Sequence, residues 1–213
     1  MILQNTIREI NSTKKIFIIL GVIVLASSLF FRQQADGQYI NLLLGLLELV
    51  IPLIICIKYI RYDSFISGKE AKSSISDTDI ILSYFIVGCF WILLSTIYMH
   101  VISKIIYTDD VHDILYIFIQ CLVLPFCHLL RGIFSITVGK GFTLGKKNII
   151  MMIVVFMVLR RIEGFILVIF ASTFDILTNG LMIILAVLCF VFYLFGSIMI
   201  CKKRKNKNGT ELE

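Results

Sequence analysis

IILSYFIVGCFWILLSTIYMHVI (Ile80–Ile102) holds no Lys, Arg, Asp or Glu. Wound as an α-helix at about 1.5 Å per residue, it is about 34 Å long. That matches the roughly 30 Å hydrocarbon core of a bilayer. Inside a bilayer no water satisfies the backbone, so a helix, which closes its own hydrogen bonds, is the structure this stretch predicts. Small polar residues, Ser76, Asp77, Thr78 and Asp79, stand just before it and are good N-caps.

The same pattern recurs to either side. Apolar runs occupy about 16–31, 39–60, 80–102, 114–138, 149–171 and 176–201. Over the whole chain 59% of residues are hydrophobic, 16% are charged, and the mean hydropathy is +0.96. A soluble domain runs at about 45–50% apolar and about 25% charged, and could not hide so much apolar surface. The expectation is a single all-α transmembrane domain over 1–213 with six transmembrane helices and a basic tail, 202–213. The mixed segment Met1–Lys15 is expected to lie in the interface as a short amphipathic helix. A cleaved leader ending at Ala26–Ser28 is a rival, but the apolar run continues past it through Phe31.

Charge sets the orientation. Arg8, Lys14 and Lys15 precede the first run; Lys58, Arg61, Lys69 and Lys72 flank the second connection. Arg131, Lys140, Lys146 and Lys147 are assigned to the fourth connection, and Lys202, Lys203, Arg204, Lys205 and Lys207 to the tail. Facing them are only Arg32 and Lys104. By the positive-inside rule both ends lie in the cytoplasm of a cell membrane, bacterial in style. The net charge of +6 is thus a matter of topology, not of nucleic-acid binding.

Soluble-enzyme chemistry is not written here. His100, His112 and His128 sit near different run ends without metal-ligand spacing, so no metal or cofactor is expected. The six cysteines lie in apolar runs with no Cys-x-x-Cys pair and read as small, polarisable core residues. Cys121 and His128 are two helical turns apart, and peptide-processing membrane peptidases pair such residues, though usually with His before Cys. Gly139–Lys147 misses the phosphate-loop spacing, so the chain is not expected to hydrolyse ATP itself.

The informative residues are charges within apolar runs: Glu48 in the second, and Arg160, Arg161 and Glu163 in the fifth. Each costs about 2.5–3.5 kcal/mol at the bilayer centre on insertion scales. They are expected to form a buried polar network or to line a path. Arg160 would pair with Glu163 at i, i+3, and Glu48 with Arg160 or Arg161 at matching depth.

The connection from Arg61 to Asp79 carries apolar residues, Phe65, Ile66 and Ile75, that a plain linker does not need. Ser67–Glu70 through Ile75 and Ser76, leading into Ile80–Ser83, resembles the first cytoplasmic loop of ABC-2-type transporter permeases. The resemblance extends over the chain as topology; many of that family carry a Leu-Pro-hydrophobic stretch where this chain has Ser73–Ser76. It implies a permease subunit of an ATP-driven exporter, working as a homo- or heterodimer with a separate cytoplasmic ATPase. Phe65, Ile66, Glu70 and Ile75 would then be the ATPase-docking residues. The other classes open to this sequence are a membrane immunity or sensor protein and an intramembrane peptidase.

Overall fold

The computed structural model describes residues 2–30, 38–67, 76–106, 118–142, 147–174 and 178–210. All but Ser76 of them are helical, and among them there is no strand. Six long rods result: α1 (Ile2–Phe30), α2 (Gln38–Ser67) and α3 (Asp77–Ile106), then a π-helical turn (Ile119–Val123) leading into α4 (Leu124–Phe142). Next come α5 (Lys147–Phe174) and α6 (Thr178–Cys189), the latter continued by a π-helical segment (Phe190–Phe195) into α7 (Gly196–Thr210). The basic stretch from Lys202 is thus helical as far as Thr210. Four stretches of the described residues are long and apolar enough to cross a membrane: Ile2–Phe30, Asp77–Ile102, Cys121–Gly139 and Met182–Lys203. In α5 the clustered charges interrupt the apolar pattern.

α4 is the axis of the bundle. The Cys121–Gly139 stretch is 72% buried against 22% for Ile2–Phe30, so α4 is packed in protein while much of α1 is left uncovered by it. Leu129, Leu130 and Ile133 are fully enclosed. Small residues allow the close approach that lipid-embedded helices depend on. A Cβ on Gly88 of α3 would strike Leu129, and one on Gly132 of α4 would strike the Cys56 sulfur of α2. One on Gly196 of α7 would come within 2.8 Å of the Phe134 ring.

Pairwise contacts fix the directions. Thr13 and Gly21 of α1 meet Trp91 and Tyr98 of α3, so these rods run parallel. The Phe85–Phe126 and Thr96–Cys121 contacts set α3 antiparallel to α4. The Phe126–Phe190 and Phe134–Tyr193 contacts set the last rod parallel to α4.

Local chemistry explains the starts and irregularities. Ser76 caps α3: the Asp79 backbone N–H donates to its Oγ at 3.2 Å, with Asp77 and Asp79 in the positive first turn. Pro125 has no N–H to give the carbonyl four residues back, that of Cys121. The Thr96 hydroxyl of α3 lies 3.0 Å from that carbonyl, beside the π-turn, and shares its one proton between it and the Ile92 carbonyl at 2.8 Å.

The N-terminal segment is not a separate interfacial helix. It is the first half of α1, with Asn5, Thr6, Glu9 and Thr13 buried on one stripe. The stripe lies along α3, where Trp91 stacks on Phe17 with centroids 4.1 Å apart and donates its Nε1–H to Thr13 Oγ1 at 2.9 Å. Tyr98 donates its O–H to the Gly21 carbonyl at 2.6 Å. Thr6 and Thr13 donate in turn to carbonyls four residues back and so can pack, whereas the buried Asn5 Nδ2 finds no partner among the described residues.

Candidate functional site: a buried ionic chain across the bundle

The charged groups converge on α4. His128 and Arg131 lie three residues apart, on one face of that helix, and both are buried. α2 packs on one flank of α4 and α5 on another. From α2, Glu48 Oε1 lies 2.6 Å from His128 Nε2. The other ring nitrogen, Nδ1, lies 2.8 Å from Arg131 Nη1. Arg131 then grips Glu163 of α5 with two bonds: Nε to Oε1 at 3.0 Å, and Nη2 to Oε2. The Tyr193 hydroxyl, from the π-helical segment, donates to Glu163 Oε1 at 2.5 Å, and the Cys189 thiol stands 3.9 Å from the same oxygen. The Phe156 ring of α5 lies under the guanidinium, 5.1 Å from its carbon to the ring centroid.

Donor and acceptor logic fixes the protonation pattern. A guanidinium only donates, so His128 Nδ1 must accept. The imidazole is therefore the neutral Nε2–H tautomer and donates to the Glu48 carboxylate. Glu163 receives from Arg131 and Tyr193 and is a carboxylate too. Arg131 and Glu163 thus form a matched ion pair, and the His128 ring links that pair to Glu48. The network is also graded in access, with side-chain exposure 16% at Glu48 against 3% at Arg131 and 8% at Glu163.

Two of the four charges expected inside are inside, with different partners. Glu163 pairs with Arg131 rather than Arg160, because its carboxylate points into the core and Arg131 meets it with a bidentate fork. Glu48 pairs with His128 rather than Arg160 or Arg161, because α4 stands between α2 and α5. Arg160 and Arg161 lie on the exposed side of α5. Arg131, assigned above to a cytoplasmic connection, is a buried residue of α4 and does not belong to that charge count. The signal was available: apolar sequence resumes after it, from Ile133 to Val138.

His128 has both ring nitrogens engaged, and no contact joins it to Cys121, whose backbone carbonyl serves Thr96. Among the described residues no His, Cys, Asp and Glu group could hold a metal ion. Phe65 and Ile66 fall in the last turn of α2, which runs on to Ser67 rather than ending near Ile60; their side chains lie outside the described set. Glu70 and Ile75 lie outside the described residues. No family model, curated protein or solved structure matches this chain.

Proposed function

We propose that the chain is the membrane subunit of an ATP-driven exporter of the ABC-2 permease type, crossing the bilayer six times with both ends in the cytoplasm. The rods alternate in direction wherever contacts fix it, which supports an even number of crossings. The observation that carries the reading is the ionic chain from Glu48 to Tyr193. It ties α2, α4, α5 and the last rod together at one level and closes the middle of the bundle. Intramembrane ionisable residues face protein or water and mark working parts. With the centre of the subunit closed, a substrate path runs between subunits, as the dimeric permease reading requires. In this reading the network latches the helices so that motion of a cytoplasmic ATPase, docked at the α2–α3 connection, moves them as one body.

A second reading, a membrane immunity or sensor protein, draws on the same closed core. Co-purification separates them. The full-length protein, extracted mildly from its native membrane, should bring down a nucleotide-binding subunit. A cross-linker placed within 65–76 should capture that subunit, and Ile75→Asp should uncouple its ATP hydrolysis from transport. Capture of no ATPase from the native membrane would remove the permease reading and leave the second.

A further inference from the structure

Arg160 and Arg161 are what the bundle leaves unexplained. Both are exposed, and among the described residues neither has an ion-pair partner. Arg160 stands thirteen residues from Lys147 and fourteen from Phe174, at the ends of α5. At about 1.5 Å per residue that is about 20 Å from either end. Arginines near helix ends reach the headgroups by snorkelling, whereas these two stand at mid-helix.

The surrounding surface has the form of a helix-docking face. Met157, Arg161, Gly164, Phe165 and Val168 line one groove at helical spacing. Phe165 is 68% exposed and Val168 67%, so nothing among the described residues covers the stripe. Gly164 has no atom within 4 Å of where a Cβ would sit, which lets another backbone approach closely.

A second copy of this chain lacks the matching charge. Its only carboxylates within the apolar runs are Glu48 and Glu163, and both are turned into the network. Placing two such faces together would set arginine against arginine. We propose that this face of α5 docks a transmembrane helix from a different subunit, one that carries a carboxylate at mid-depth. The inference rests on reading α5 as a membrane crossing in a multi-subunit permease, and makes that assembly heteromeric at this face.

The test uses the full-length chain in phosphatidylcholine vesicles with a labelled Leu/Ala-rich spanning peptide. The peptide carries either one central Glu or one central Gln, and association is read by energy transfer. The Glu peptide should bind about tenfold more tightly than its Gln twin, the scale of one good interhelical polar contact. Arg160→Gln with Arg161→Gln should erase that preference while leaving the isolated chain as stable as before or more so, since an unpaired charge is removed. Equal binding of the two peptides would overturn the proposal, as would a loss of stability in the double variant. If phosphatidylglycerol in the vesicles abolishes the Glu preference, the face is a headgroup site and the proposal falls. Phe165→Cys separates the two layers of the argument. Labelling by a water-soluble maleimide above the native background would overturn the spanning reading itself. Protection from that reagent with no Glu preference would overturn only the docking.

Discussion

Arg131 and Glu163 face each other across the α4–α5 contact as a fork on a carboxylate, with Nε and Oε1 3.0 Å apart. Neither group has water to fall back on: their side chains are 3% and 8% exposed. Such a pair gains little against a well-packed apolar pair, yet losing one member is expensive, because the other remains buried and charged. The pair therefore fixes the register of α5 on α4 more than it adds net stability.

The His128 link should be more sensitive at the ring than at the acid. Glu48→Gln keeps an acceptor for the Nε2–H. It should cost about 1 kcal/mol, the difference between a charged and a neutral hydrogen bond. His128→Leu orphans Glu48 and one Arg131 donor together, and should cost about 2–4 kcal/mol. Thermal unfolding of the two variants in one detergent compares them directly; an equal or reversed order would contradict the tautomer assigned to His128.

Tyr193→Phe removes one donor from Glu163 and leaves the Arg131 fork in place. The expected loss is about 1–2 kcal/mol, smaller than that for Glu163→Leu. The difference in unfolding midpoint between the two variants measures how far Glu163 depends on the fork rather than the hydroxyl.

The glycines make a sharper steric test. Gly132→Ala pushes a methyl onto the Cys56 sulfur, and Gly88→Ala pushes one onto Leu129. Each should destabilise by about 1–3 kcal/mol. Gly180→Ala meets nothing within 4 Å and should be neutral or gain up to about 1 kcal/mol from helix propensity. A uniform response across the three would contradict the close α4 contacts.

The topology is tested by thiol labelling from either side of sealed membranes. Single cysteines at 34–37 and 108–111 should label from outside, and those at 68–73 and 204–208 from inside. Termini on opposite sides would contradict the six-crossing reading.

Much of the fold was legible because apolar runs and N-caps are local. Ile80–Ile102 lies within α3, and Ser76 caps it as its chemistry predicts. Glu48 and Glu163 were legible as inward-facing by the same logic of cost. Their partners were not, because pairing depends on which rods touch, and that is decided by contacts such as Gly132 on Cys56 far apart in sequence. Arg131 was misplaced for a local reason: near His128 and Gly132 it resembles the edge of a run, although apolar sequence resumes at Ile133, and the burial of α4 shows it to be interior. The polar half of α1 misled similarly, since a stripe that suits an interface also suits Trp91 and Ser83 of α3.

The most direct test of the account is a double-mutant cycle on Arg131 and Glu163, read as unfolding midpoint in a single detergent. Arg131→Met and Glu163→Leu should each destabilise by about 3–5 kcal/mol, since each leaves an unpaired buried charge. The double variant, with both charges gone and similar volume retained, should be more stable than either single one. Strictly additive losses would mean that the two residues do not act as a pair, and the ionic chain through α4 would not be what latches the bundle.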